Sequence, residues 1–112
     1  MKTAQELADR LAELAGWKTE RFAASMGYLP PGEPEDSEEW MADHPFPVNS
    51  LDALEAFRRE QLPGWEWWNV GWQQERVEAG MMQRETARLL KKYGPDEWTA
   101  RAAALIAAKE AK

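Results

Sequence analysis

The chain has 112 residues, no cysteine and a formal net charge of −6. That length suits a single domain over residues 1–112 with one core, and the lack of cysteine excludes a disulfide framework, a thiolate metal site and a cysteine nucleophile. No apolar run approaches the ~20 residues of a membrane span, and the N-terminus opens an amphipathic pattern instead of a signal peptide, so a cytoplasmic protein is expected.

The first predicted element is a helix. Thr3 and Glu6 stand at capping-box spacing. Leu7, Leu11 and Leu14, with Ala8 and Ala15, make an apolar stripe. Gly16 supplies a left-handed stop, and Trp17 is expected to fold back on the helix end.

Residues 18–49 read as largely irregular, because Pro30, Pro31, Pro34, Pro45 and Pro47 deny long regular elements. Residues 21–28 suit a short strand or a helical turn. Residues 38–42 suit one turn that places Trp40 and Met41 inward. The acidic, Pro-rich loop at about 29–47 holds the charge imbalance: residues 29–44 contain six acids (Glu33, Glu35, Asp36, Glu38, Glu39, Asp43) and no Lys or Arg, and the rest of the chain balances. A broad basic face for nucleic acid is therefore not expected. Such a loop is either solvated or aimed at a basic partner.

A second helix is predicted from about Leu51 to Leu62, capped by Asn49 or Ser50. Leu51, Leu54 and Phe57 mark its buried face, with Ala53 beside them. Pro63 and Gly64 stop it.

Four of the seven tryptophans then fall within residues 65–72. On a strand, Trp65 and Trp67 face one way and Trp68, Val70 and Trp72 the other. On a helix, Trp65, Trp68 and Trp72 share a face that Ala79 extends. Aromatic enrichment and Gly71 favour a hairpin of residues 65–70 with 73–79. Its outer positions Gln74, Arg76 and Glu78 are polar, so one sheet face is wet or used for binding. Either geometry leaves at least one Trp exposed unless a second layer or a partner covers it, and Trp is enriched at interaction hot spots.

Met82, Thr86, Leu89, Leu90 and Tyr93 predict a third helix, ended by Gly94 and Pro95. Arg84, Arg88, Lys91 and Lys92 form a basic row on it, which is a solvated face or pairs with the acidic loop of a second subunit in a homodimer. A last helix opens near Pro95, with Asp96 and Glu97 in the first turn. Trp98, Ala102, Leu105, Ile106 and Lys109 follow its period, and Lys109 and Lys112 complement its far end. The fold class is α+β, a small antiparallel sheet or hairpin packed with three to four helices, with an all-α fold as the alternative.

Several of these pieces together resemble the phage ABA sandwich domain family. They are the Leu/Ala helix ending in Gly16 and Trp17, the isolated Trp40, the helix opening at residues 47–57, the strand-like Gly64-Trp65-Glu66-Trp67, and the closing Ala-rich helix at residues 99–108. The resemblance implies helices flanking a small sheet and a bacteriophage or prophage source. It implies no reaction and no site residues.

Catalytic chemistry finds little footing. The acids at residues 33–43 lack a calcium-loop pattern. His44, the only histidine, lacks zinc partners and reads as a turn residue. Ser25, Ser37 and Ser50 lack a nucleophile elbow, and no glycine-rich phosphate loop appears. No metal and no cofactor are expected. The reading is a non-enzymatic, phage-type binding protein that occupies a host protein surface, such as an inhibitor of host defence of the anti-CRISPR kind acting on a nucleic-acid-processing enzyme. Trp67, Trp68 and Trp72 would anchor it, and Glu35, Asp36, Glu38 and Glu39 would steer it. One alternative is a module that sequesters a small molecule or nucleotide signal through Trp68, Arg76 and Arg101. Another is a virion assembly component.

Overall fold

A computed structural model describes residues 3–23, 25–34, 36 and 38–111. Glu35, Ser37 and Lys112, each singled out above, lie outside the described residues. Among the described residues, three helices and two antiparallel sheets form an α+β fold, with the elements in the order α1 (Ala4–Leu14), β1 (Lys18–Phe22), β2 (Ser25–Leu29), α2 (Leu51–Gln61), β3 (Trp65–Gln73), β4 (Arg76–Gln83), β5 (Arg88–Gly94) and α3 (Glu97–Glu110). The all-α alternative is excluded.

The helices start and stop where their caps dictate. Thr3 and Glu6 form the reciprocal capping box of α1. At its other end the Gly16 N–H donates to the Glu13 carbonyl and the Trp17 N–H to the Ala12 carbonyl, with Gly16 at φ +92°. That is a Schellman motif, and it folds the half-buried Trp17 back against the core. Ser50 caps α2 and Asp96 caps α3, each accepting a backbone N–H three residues on. Leu54 and Phe57 of α2 are buried as expected. Leu51 is not: it is exposed at the first position of the helix, short of the core.

Helix α3 is the centre of the molecule. Eight of its residues are buried, among them Trp98, Leu105 and Ile106, with Ala100, Ala102, Ala104 and Ala108 letting neighbours approach closely. It packs against α1, α2 and the sheet of β3, β4 and β5.

Residues 18–22 and 25–29 are not irregular. They form the β1–β2 hairpin, with Lys18 opposite Leu29 and Phe22 opposite Ser25. The prolines fall after this hairpin. The turn expected at residues 38–42 is instead an isolated bridge. Tyr28 and Met41 exchange both backbone hydrogen bonds at 2.8 Å, and the Met41 side chain stays exposed. His44 is pinned beyond a simple turn residue. Its Nδ1 accepts the Phe46 N–H at 2.9 Å, so Nε2 carries the hydrogen shared with Asp9 Oδ1 at 2.9 Å.

The second sheet has the order β3-β4-β5. The expected Trp hairpin exists in a different register. β3 runs through Gly71 to Gln73, and the two-residue turn is Gln74-Glu75. Residues 82–93 correct the expected third helix: they are the end of β4, a turn and β5, with Met82 opposite Leu89 and Val77 opposite Gly94. The basic row therefore disperses. Lys91 and Lys92 point to opposite faces of the sheet, and Arg84 sits in the turn, ion-paired with Glu66.

A β-bulge lies between Trp67 and Asn69. Trp67 opposes Met81, Asn69 opposes Gly80 and Val70 opposes Ala79, which leaves Trp68 as the extra residue. The bulge resets the alternation. Trp68 keeps the side opposite Trp67, but Val70 and Trp72 return to the face of Trp65 and Trp67, correcting their expected grouping with Trp68.

Candidate functional site

The bulge divides the Trp segment between the two faces of the sheet. The inner face carries Trp65, Trp67, Val70, Val77, Ala79, Met81 and Leu90, all of them in or against the helical core. Trp67 is held between two helices. Its indole Nε1 donates to Glu55 Oε2 at 2.9 Å, and the Arg101 guanidinium stacks 4.5 Å from its ring. Glu55 also accepts from Arg58 Nε at 2.8 Å, and Arg58 Nη1 donates to the Trp65 carbonyl at 2.9 Å. The hydrogen bond from Arg58 holds the Glu55 carboxyl below the usual carboxylate range, and the Trp67 indole adds to this. Trp67 thus ties the sheet to α2 and α3.

Among the described residues, the helices pack on the inner face and none lies over the outer face of the same sheet. Register and pleat place Glu66, Trp68, Asn69 and Gly71 of β3 there, with Glu78, Gly80 and Met82 of β4 and Leu89, Lys91 and Tyr93 of β5. Trp68 is 56% exposed, Leu89 52% and Tyr93 40%. Trp68 lies along Gly80, whose missing side chain leaves the indole room against the backbone.

A buried carboxylate sits between these apolar groups. Glu78 is only 3% exposed. Asn69 Nδ2 and Gln73 Nε2 donate to its Oε2 at 2.9 and 3.3 Å, Tyr93 OH donates to its Oε1 at 3.1 Å, and Lys91 Nζ lies 3.5 Å from Oε1. Both oxygens of this buried carboxyl group therefore have partners, as a buried polar side chain requires. Arg76 lies over the Tyr93 ring at 3.8 Å and steadies the same corner. At the other end the Glu66–Arg84 pair closes the face, with the hydrogen bond from Arg84 holding Glu66 below the usual carboxylate range.

The residues expected to bind a partner are therefore dispersed. Trp68 stands on the outer face. Trp67 is engaged within the protein. Trp72 has inner-face parity but projects at the end of the edge strand, 69% exposed. Asp36, Glu38 and Glu39 are exposed in the segment after the β1–β2 hairpin, a separate sheet. The alternative ligand set does not converge either. Trp68 and Arg76 share the outer face, whereas Arg101 stacks on Trp67 on the inner side and donates to Glu97 at 2.9 Å.

Sequence reasoning placed Arg76 and Glu78 outward but missed Met82, Leu89 and Tyr93, whose strand is disguised by a helical period. Among the described residues no cluster of His, Cys, Asp or Glu is arranged to hold a metal ion, and no helix is long and apolar enough to cross a membrane. Comparison of the chain with protein-family models, with curated proteins and with solved structures finds no match.

Proposed function

We propose that this protein is a non-enzymatic binding module that occupies the surface of another protein through the outer face of the β3-β4-β5 sheet. The observation that carries this reading is the exposed, bulge-positioned Trp68, set among Met82, Leu89 and Tyr93 around a saturated Glu78. An apolar patch with a fixed polar centre and a charged rim is the anatomy of a recognition surface. Burying the exposed parts of Trp68 and Leu89 removes on the order of 200 Å² from water, worth about 5 kcal/mol before the costs of association. A host protein as the partner, and a phage source for the chain, rest on the family resemblance alone.

The nucleotide reading loses its support in Arg101, which is committed to Trp67 and Glu97. Affinity capture with the wild type and with a Trp68→Ser, Leu89→Ser double variant tests the proposal. A partner held by the wild type and lost by an equally stable double variant is the expected result. Equal retention by both contradicts it. Concentration-dependent self-association through the same face favours the assembly-component reading.

A further inference from the structure

A second concavity lies beside the β1–β2 hairpin. It is an open cleft of about 510 Å³ lined by Phe22, Met26, Trp40, Met41 and Glu38, with Gly27 at its floor. The rings of Phe22 and Trp40 meet edge to face, with centroids 5.5 Å apart. They lie directly on the Gly27 backbone, since a Cβ there would collide with Phe22 Cε2 and stand 3.4 Å from Trp40 Cε3. The paired hydrogen bonds between Met41 and Tyr28 hold Trp40 against the hairpin. The aromatic wall is therefore built into the backbone. It is nevertheless open to solvent, with Phe22 and Met41 both exposed.

Charge decides what fits. Glu38 stands on the cleft, Asp36 and Glu33 are exposed close by in the chain, and residues 29–44 contain no Lys or Arg. Arg21 has the opposite strand parity to Phe22, and Lys18, which shares Phe22's face, lines a separate hollow with Glu13, Glu20 and Trp40 and is not among the residues lining this cleft. An anionic partner meets repulsion here, and a purely apolar one makes no use of the carboxylates. A guanidinium uses both. Its plane stacks on an indole, and its N–H groups pair with a carboxylate. We propose that the Phe22–Trp40 cleft, with Glu38 at its rim, binds an arginine side chain in a basic, extended segment of a partner protein. This site stands independently of the outer face around Trp68.

The test uses the full chain and two short peptides of one sequence, one with Arg and one with citrulline, which keeps the shape and loses the charge. Binding is followed by the Trp40 indole N–H resonance and by calorimetry. The Arg peptide is expected to shift that resonance and to bind at least ~5-fold more tightly than the citrulline peptide, the size of one solvent-exposed cation–π contact. Glu38→Gln, an exposed change that leaves the fold intact, is expected to weaken the Arg peptide several-fold. Trp40→Leu should abolish binding, and Trp68→Ser should leave it unchanged. Equal affinity for the two peptides overturns the proposal. So does a Glu38→Gln variant of undiminished affinity, or a shift confined to residues outside the cleft. Loss of Arg-peptide binding on Trp68→Ser would place the site on the outer sheet face and overturns it too.

Discussion

Trp68 lies against Gly80 across the β3–β4 pair, its Cδ1 3.5 Å from where a Gly80 Cβ would stand. The contact is ordinary van der Waals spacing, so one methyl fits and a branched side chain does not. Gly80→Ala is expected to leave stability within about 0.5 kcal/mol of wild type. Gly80→Val is expected to cost about 1–3 kcal/mol and to lift Trp68 off the strand. Chemical denaturation, with the Trp68 indole resonance as reporter, measures both.

Gly94 is the contrasting glycine. A Cβ there would stand 2.8 Å from the Ala100 backbone nitrogen and 3.0 Å from Thr99 side-chain atoms, at the start of α3. Backbone in the first turn of the central helix has no room to yield. Gly94→Ala is therefore expected to destabilise by about 1–3 kcal/mol, visible as a lowered denaturation midpoint with an unchanged slope.

Ala87 holds φ +54° in the turn between β4 and β5. A non-glycine residue in that region costs roughly 1–2 kcal/mol, against the ~0.5–1 kcal/mol of unfolded-state entropy that glycine adds. Ala87→Gly is expected to stabilise by about 0.5–1 kcal/mol in equilibrium denaturation.

That turn also explains why the fold was only partly legible. The helix ends announce themselves through Thr3, Gly16 and Ser50, because caps are local chemistry, whereas Asp96, expected inside the first turn of α3, is its cap. Both turns of the second sheet lack such markers: Gln74 and Ala87 adopt left-handed backbone where Gly or Asn is the usual signal. Met82, Thr86, Leu89, Leu90 and Tyr93 meanwhile fit a helical period by coincidence, since Leu89 and Leu90 serve opposite faces of a strand. The bulge at Trp68 is likewise silent in the sequence, as it depends on pairing with β4. It nonetheless decides which tryptophans are free for a partner.

Glu55 links pH to the Trp67 clamp. Its carboxyl is held low by Arg58, so its stabilising contribution is full above the unfolded-state pKa and is lost as pH falls through the lowered folded-state value. Glu55→Gln is expected to flatten the acid limb of stability against pH. Trp67→Phe, which removes only the indole donor and part of the ring, is expected to cost about 1 kcal/mol or more at neutral pH. Urea titrations across the acid range test the two together.

The outer sheet face as a protein-binding surface is tested most directly by the affinity of a purified captured partner for the wild type and for Trp68→Ser. A central anchor of this kind contributes about 2 kcal/mol, or roughly 30-fold in Kd. The predicted result is a loss of that order with the thermal midpoint unchanged. An affinity within about two-fold of wild type, at equal stability, would contradict the assignment of this face.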